Sequence, residues 1–195
     1  MIDPYDITKF DRKIFELEEF WIFSICVANK EANRIADIVH KLVHCDVITP
    51  FDVIRMYLNE GVLMDKLKYF RVGQYNRIYK ALKQTVETNF DVKNATIEDM
   101  EAIHGVGPKT ARMFIMHSRP NQNVAALDTH ILKFLRAKGY EAPKSTPSGK
   151  KYRELEEAFV SEAKKINMTP ADLDLYIWET YKKGPVDDEY WNRNN

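Results

Sequence analysis

One local pattern, a threonine followed by a proline and then an acid, recurs in this chain and marks the starts of helices. Thr49-Pro50-Phe51-Asp52 carries the pattern, and Thr169-Pro170-Ala171-Asp172 repeats it. A threonine hydroxyl can cap a helix, proline is accepted at the first helical position, and an acid suits the first turn. Thr96-Ile97-Glu98-Asp99 is a looser version of the same signal. The chain is therefore expected to be built from helices.

Apolar residues between these starts recur at helical spacing. One predicted face consists of Leu155, Phe159 and Ala163, and another of Leu173, Tyr176, Ile177, Thr180 and Tyr181. We interpret Tyr176 and Ile177 as core residues. Only residues 46–49 resemble a strand, and they are too few to build a sheet. The predicted fold class is all-α.

The length of 195 residues and the 45% hydrophobic content allow one sizeable core, divided between two lobes. We expect a single helical domain of two lobes over residues 1–184, with a helix-hairpin-helix at about residues 96–118. Residues 139–149 are expected to connect two helical segments. Residues 185–195 are interpreted as a C-terminal tail, although Tyr190 and Trp191 could dock it on the fold.

The charges balance, with 29 basic and 29 acidic residues. Any surface for nucleic acid must therefore be a local patch, because bulk charge does not supply one. Seven basic residues around the predicted hairpin could form that patch or could be ordinary solvated charges. They are Lys133, Arg136, Lys138, Lys144, Lys150, Lys151 and Arg153.

The two cysteines, Cys26 and Cys45, lack the spacing of metal ligands. A disulfide between them is conceivable, but the apolar run of residues 21–27 favours a buried free thiol at Cys26. No charged and then apolar leader opens the chain, and no apolar stretch approaches the length of a membrane span. We therefore expect a cytoplasmic, intracellular protein with no membrane partner.

The most informative segment runs from Met100 to Arg112. A short helix is expected to end near Ile103, a Gly105-Val106-Gly107 turn follows, and a second helix begins at Pro108 or Lys109. Two glycines allow conformations closed to other residues and let a phosphate approach the backbone. N–H groups at the start of the next helix would then point at that anion. Taken alone, the Gly-x-Gly pattern fits a plain helix-helix turn better.

Two further residues change that interpretation. Lys109 opens the second helix, and Asp128 follows 19 residues later in the sequence Leu-Asp-Thr-His-Ile. With the turn, this pair resembles the helix-hairpin-helix DNA glycosylase superfamily, which includes endonuclease III and the 8-oxoguanine glycosylases. The resemblance implies that Lys109 and Asp128 are catalytic. The DNA-binding residues implied near them are His104, Gly105, Val106, Gly107 and His130.

Alternatives remain for two of these residues. Asp128 could cap the following helix as well as serve the reaction. His104 stands where the family usually has proline, and it could contact a phosphate or cap the preceding helix.

The chemistry explains why a lysine and a carboxylate are needed. A lysine amine is a nucleophile only when it is unprotonated, and burial next to a helix N-terminus favours that form. It can attack the anomeric carbon of the sugar as the base leaves, giving a Schiff base that allows strand cleavage by β-elimination. A carboxylate can stabilise the positive charge that develops on the sugar. In the superfamily, members without the lysine omit the lyase step, so Lys109 implies a bifunctional enzyme.

The absence of four cysteines near the C-terminus argues against the iron-sulfur cluster of endonuclease III relatives. We expect no metal and no cofactor. Residues 23–35 are similar to the 8-oxoguanine glycosylase segment in which an asparagine fills the space of the flipped base and an arginine touches the orphaned cytosine. Asn29 and Arg34 occupy those positions, although Asn29 could be a helix cap and Arg34 a solvated helix residue. Residues 173–178 are similar to a motif of the compact archaeal-type enzymes, which makes Trp178 a candidate for stacking on the extruded base.

The function implied is that of a DNA glycosylase with AP-lyase activity in base-excision repair. Its partner would be double-stranded DNA containing a damaged base, with 8-oxoguanine as the expected target, and the protein would act as a monomer. The alternatives are the same mechanism on an oxidised pyrimidine or other modified base, and a non-catalytic helix-hairpin-helix module. A binding module needs the glycines but not the paired amine and carboxylate.

Overall fold

The computed structural model describes residues 1–184 and 190–193, and the chain divides into two compact units, Met1–Phe114 and Ile115–Asn195. Within the described residues the regular elements are helices, and no strand occurs. The predicted all-α fold class is therefore confirmed. Across the same residues, no helix has the length and apolar character required to cross a membrane.

The first unit is built around its first helix. Its helices are α1 (Ile14–Cys26), α2 (Ala32–Val43), α3 (Pro50–Asn59), α4 (Leu63–Tyr69), α5 (Tyr75–Glu87), α6 (Ile97–Glu101) and the first part of α7 (Pro108–Ser118). Helix α1 packs against α2, α3 and α5, and its residues Phe20, Trp21 and Phe23 are fully buried. The prediction of a buried free thiol at Cys26 is confirmed, because both cysteines are free and Cys26 is buried. Cys45 is exposed.

The second unit has its own apolar core. It contains the end of α7, then α8 (Thr129–Ala137), α9 (Gly149–Lys165), α10 (Pro170–Lys182) and α11 (Tyr190–Arg193). Leu155, Phe159 and Ala163 of α9 are buried, as their spacing predicts. The prediction that Tyr176 belongs to the core is wrong, because Ile177 takes the buried face of α10 and Tyr176 is 38% exposed.

The predicted helix starts are confirmed by their capping hydrogen bonds. The hydroxyl oxygens of Thr49, Thr96 and Thr169 each accept a hydrogen bond from the backbone N–H three residues further on, at 3.4, 3.1 and 3.1 Å. Such caps satisfy backbone donors that the first turn of a helix leaves without partners. Residues 46–49 form a bend before α3 and not a strand.

Of the C-terminal segment after residue 184, the structure describes residues 190–193, and Trp191 in this part packs on the second unit. Residues 185–189, 194 and 195 lie outside the described residues, so the tail boundary after residue 184 stays a prediction. Trp191 is 4% exposed, and its ring meets Phe134 edge to face at 5.0 Å. Its indole N–H donates to the Tyr181 hydroxyl at 3.2 Å. The sequence left open whether Trp191 docks on the fold. The structure shows that it packs on the second unit.

Candidate active site

The turn between α6 and α7 depends on one glycine more than on the other. Gly105 has φ +72°, a left-handed conformation, and a Cβ built on it would lie 2.6 Å from Cγ of Arg77. Gly107 lies outside that region, and a Cβ there would meet nothing within 4 Å. The expectation that both glycines adopt conformations closed to other residues is therefore right for Gly105 and wrong for Gly107. The open space at Gly107 leaves room for a ligand to approach the backbone.

The backbone N–H groups of the turn fall into two sets. The N–H of His104 donates to Oε1 of Gln84 at 2.7 Å, and that of Val106 donates to the Ile103 carbonyl at 3.0 Å. For the N–H groups of Gly105 and Gly107, the described part of the chain supplies no acceptor. Since the Val106 side chain is also buried, this residue supports the turn from inside. Two backbone donors are thus left for an anion.

Gln84 of α5 was not singled out by the sequence, yet it holds the backbone between the end of α6 and the hairpin glycines. Its Nε2 donates to the carbonyl of Ala102 at 3.0 Å, and its Oε1 accepts from His104. Ala102 is the C-cap residue of α6. The interpretation of His104 as the cap is therefore wrong. Its imidazole is exposed, and the phosphate contact stays a prediction.

Lys109 is the second residue of α7, immediately after the turn, and its side chain is half-buried. One turn further along the helix, Arg112 pairs with Glu101 at 2.6 Å between Nη1 and Oε1. This ion pair joins the two helices of the hairpin within the first unit. The lysine is thus carried by a helix start that is fixed by side chains on both sides.

Asn29 lies on the connection from α1 to α2, and Arg34 lies in the first turn of α2. Asn29 is exposed, with φ +58°, a conformation that asparagine tolerates better than most residues. The cap of α2 is Glu31, whose carboxylate accepts from the N–H groups of Asn33 and Arg34 at 2.9 and 2.6 Å. The alternative of Asn29 as a helix cap is therefore wrong. Arg34 is exposed in the first turn of α2.

Asp128 is the N-cap of α8 in the second unit. Its Oδ1 accepts from the N–H groups of His130 at 2.8 Å and Ile131 at 2.9 Å. The sequence left open whether Asp128 caps this helix, and it does. The two hydrogen bonds fix the orientation of the carboxylate, which a reaction on a sugar requires.

The backbone before Asp128 is held by two side chains that sequence reasoning missed. The hydroxyl of buried Tyr152 donates to the Ala125 carbonyl at 2.7 Å and accepts from the Leu127 N–H at 3.2 Å. Thr146 donates to the Leu127 carbonyl at 2.9 Å. Because these contacts join residues about 20 to 30 positions apart in the chain, no local pattern could have indicated them.

His130 and Trp178 complete the predicted residues of the second unit. The His130 ring stacks on that of Tyr181, with centroids 4.8 Å apart. Trp178 is partly buried on α10, and Nζ of Lys182 lies 4.9 Å from its ring centroid. A cation over the face of an indole is attracted by the ring, so Lys182 and Trp178 contact each other on α10.

Several basic residues of the predicted patch have structural partners. Arg136 donates to the carbonyls of Ala142 and Pro143 at 3.2 and 2.7 Å, and Lys138 donates to the Trp191 carbonyl. Arg136 and Lys138 are therefore not simply solvated charges, because each binds backbone carbonyls of the second unit, and their part in a DNA-binding patch stays a prediction.

The predicted site residues divide between the two units. The first unit holds Asn29, Arg34, His104, Gly105, Val106, Gly107 and Lys109, and the second holds Asp128, His130 and Trp178. In the described residues, no group of three or more histidine, cysteine, aspartate or glutamate side chains could hold a metal ion.

Comparison with known proteins identifies the family of the chain. The family model described as 8-oxoguanine DNA glycosylase, of the helix-hairpin-helix type, matches residues 5–168. The chain belongs to this family, which confirms the resemblance drawn from Lys109, Asp128 and the hairpin glycines.

Two curated relatives and two solved structures agree with that assignment. Both relatives are named 8-oxoguanine DNA glycosylase/AP lyase. The protein of Thermoplasma volcanium is 31% identical over 179 residues, covering 87% of this chain and 82% of the relative. That of Methanocaldococcus jannaschii is 36% identical over 104 residues, covering 52% of this chain and 49% of the relative.

The solved structures show the fold. The crystal structure of the Methanocaldococcus jannaschii 8-oxoguanine DNA glycosylase has a TM-score of 0.68 at 24% identity, covering 89% of this chain and 81% of that one. The glycosylase/lyase of the same organism in complex with a 15mer DNA containing 8-oxoguanine has a TM-score of 0.69 at 22% identity. That match covers 91% of this chain and 86% of the other.

Proposed function

We propose that this protein is a bifunctional DNA glycosylase/AP lyase that removes 8-oxoguanine from double-stranded DNA and then nicks the strand. The observation that carries the proposal is the position of Lys109. In a chain that matches the 8-oxoguanine glycosylase family over residues 5–168, it follows the hairpin turn directly, on the first turn of α7. The curated relatives named above bear the same two activities in their names.

The reaction proceeds in two stages. The amine of Lys109 attacks C1′ of the damaged nucleotide while the bond from C1′ to the base breaks, and the base leaves with a proton. The bond from C1′ to the ring oxygen O4′ then breaks, O4′ takes up a proton, and a double bond forms between C1′ and Nζ, which gives a protonated Schiff base. Loss of a C2′ proton then expels the 3′ phosphate by β-elimination, and water releases the lysine. The carboxylate of Asp128 stabilises the positive charge on the sugar during the first stage.

The other residues hold the DNA in this proposal. The free N–H groups of Gly105 and Gly107 bind a backbone phosphate, and the exposed imidazole of His104 and the partly buried imidazole of His130 add contacts to the phosphate backbone. Trp178 stacks on the extruded base, which must leave the duplex at a cost of a few kcal/mol. Arg34 touches the orphaned cytosine, and Asn29 fills the vacated space. The protein acts as a monomer inside the cell.

The test is borohydride trapping on a panel of duplexes, each with one defined lesion opposite cytosine. The wild-type protein should form a covalent adduct most efficiently with 8-oxoguanine, since borohydride reduces a Schiff base to a stable amine. Lys109→Gln should give no adduct while binding the duplex with nearly unchanged affinity. Lys68→Gln, at an exposed position of α4, is the matched control and should trap like wild type.

Three results would contradict the proposal in different ways. Trapping by Lys109→Gln at the wild-type yield would show that another amine is the nucleophile. A preference for an oxidised pyrimidine would keep the mechanism and change the substrate. Binding of lesion duplexes without any adduct or base release would indicate a non-catalytic DNA-binding module.

A further inference from the structure

Arg77 connects three segments of the first unit through one guanidinium group. Its Nη2 donates to the Ile25 carbonyl at 2.7 Å, near the end of α1. Its Nη1 donates to the Gly105 carbonyl at 3.0 Å, in the hairpin turn, and its Nε donates to Oε1 of Gln74 at 2.6 Å. Each acceptor lies on a different segment of the chain, so the side chain fixes their mutual positions.

Gln74 extends this connection to the turn that carries Asn29. Its Nε2 donates to the carbonyl of Ala28 at 3.2 Å, one residue before Asn29. On the other side of that turn, Nζ of Lys30 donates to the Cys26 carbonyl at 2.8 Å. The exposed Asn29 is thus presented by a turn whose backbone is held from the start of α5.

The chemistry of arginine suits this task. A guanidinium is planar and carries five N–H donors in a fixed fork, whereas a lysine ammonium is one rotating point. The aliphatic part of Arg77 also packs on Gly105, where a Cβ would come within 2.6 Å of its Cγ. Partial burial lowers the pKa of the Arg77 guanidinium from its ordinary value. A buried charge is retained when its donors have partners, and here three donors have them.

We propose that Arg77 is a positioning residue that couples the Asn29 turn to the hairpin turn, so that both engage the duplex as one rigid surface. This inference rests on the proposed function. Extrusion of a base requires the group that fills the vacated space and the backbone that holds the phosphate to be correctly placed at the same time. Arg77 supplies that relation without touching the DNA.

A purely structural role would give a different result from a coupling role. If Arg77 only stabilised the fold, its replacement would lower the melting temperature and leave the contribution of Asn29 to excision unchanged. If it couples the two turns, Asn29 loses its effect when Arg77 is replaced. A double-mutant cycle separates the two roles, because it measures the dependence of one residue on another.

The cycle consists of wild type, Arg77→Lys, Asn29→Ala and the double variant, with single-turnover excision of 8-oxoguanine opposite cytosine as the measurement. Fluorescence of a 2-aminopurine next to the lesion reports base extrusion in the same samples, and thermal unfolding reports stability. Arg77→Lys should slow excision by roughly tenfold or more, as a misplaced group does. Arg71→Lys, at an exposed position directly after the C-cap of α4, is the control and should leave the rate unchanged.

The expected result is that Asn29→Ala slows excision in the wild-type background and adds less than about twofold in the Arg77→Lys background. An equal effect of Asn29→Ala in both backgrounds would overturn the inference. If Arg77→Lys does not fold, the exposed Gln74→Ala takes its place in the cycle with the same expected outcome. If the wild-type protein excises no lesion, the proposed function is refuted and this inference with it. The wild-type sample therefore tests the proposed function, and the comparison of Asn29→Ala in the two backgrounds tests the coupling.

Discussion

The imidazole of His130 and the phenol ring of Tyr181 are stacked, with their centroids 4.8 Å apart and their planes 25° from parallel. His130 is in the first turn of α8, two residues after the cap residue Asp128, and Tyr181 is near the end of α10. In the described residues, Nδ1 of His130 is buried without a hydrogen-bond partner. The ring is therefore oriented by stacking and not by a hydrogen bond at that nitrogen.

This stack predicts that Tyr181→Ala weakens DNA binding through His130. The expected loss is roughly two- to tenfold, which corresponds to the about 0.5–1.5 kcal/mol of an aromatic pair. Titration of a fluorescent lesion duplex, followed by anisotropy, measures it. Tyr181→Phe keeps the ring and should bind like wild type. His130→Ala should lower the affinity by a similar factor, and the double variant by no more. Independent, additive losses would show that Tyr181 does not act through His130.

Asp128→Asn should separate catalysis from stability. An asparagine oxygen can accept the same two N–H groups, so the melting temperature should change by no more than a few degrees. Loss of the carboxylate charge should slow base removal by roughly 100-fold or more under single-turnover conditions. Asp172→Asn, an exposed acid in the first turn of α10, should leave the rate unchanged. A parallel loss of stability and activity in Asp128→Asn would mark the residue as structural.

Arg34→Ala should relax the preference for the base opposite the lesion. A guanidinium can donate to the acceptors of an orphaned cytosine, and a purine there would be too large for the same geometry. Wild type should therefore favour 8-oxoguanine opposite cytosine over the same lesion opposite adenine, and Arg34→Ala should reduce that preference by roughly tenfold. Excision rates on the two duplexes give the ratio.

Asn29→Ala serves as the comparison for Arg34→Ala, because filling the vacated space should matter for every pair. It should slow excision on both duplexes equally. A preference that survives Arg34→Ala intact would remove Arg34 from the recognition of the partner base.

The two thiols should differ sharply in reactivity. Burial raises the pKa of the Cys26 thiol to about 12, so it stays protonated, and therefore unreactive, throughout the neutral range. Cys45 is exposed. A chromogenic disulfide reagent at pH 8 should titrate one thiol per native chain and two after unfolding in guanidinium. Cys45→Ser should leave no reactive thiol in the native protein. Rapid reaction of two native thiols would contradict the burial of Cys26.

Sequence patterns predicted the parts of this fold that are decided locally. A cap such as Thr96 acts on a backbone group three residues away, so its pattern can be read within one turn. Lys109 and Asp128, although 19 residues apart, were found because each lies in a short sequence pattern that resembles the family. Arg77, Gln84 and Tyr152 were missed because their partners are distant in the chain and are defined only by packing.

The misassigned residues have a related cause. Helical spacing placed Tyr176 on the same face as Ile177, but the width of the buried face depends on which helix packs there. The sequence offered only a basic patch or solvated charges for Arg136 and Lys138, because charge alone does not tell whether a backbone carbonyl lies within reach. Asn29 fits a cap by residue type, yet Glu31 takes that role because the chain turns through a left-handed residue first.

The contact between Arg77 and Gly105 has a consequence for how relatives of this protein can diverge. Gly105 is constrained twice, by its left-handed backbone and by the arginine stem against its Cα. A lineage that shortens residue 77 removes only the second constraint, and an asparagine could then replace the glycine. Substitution of Gly105 while the arginine remains would meet both penalties. Across the family, non-glycine residues at position 105 should therefore occur where position 77 has already lost its long side chain, and that order of events can be read from reconstructed ancestral sequences.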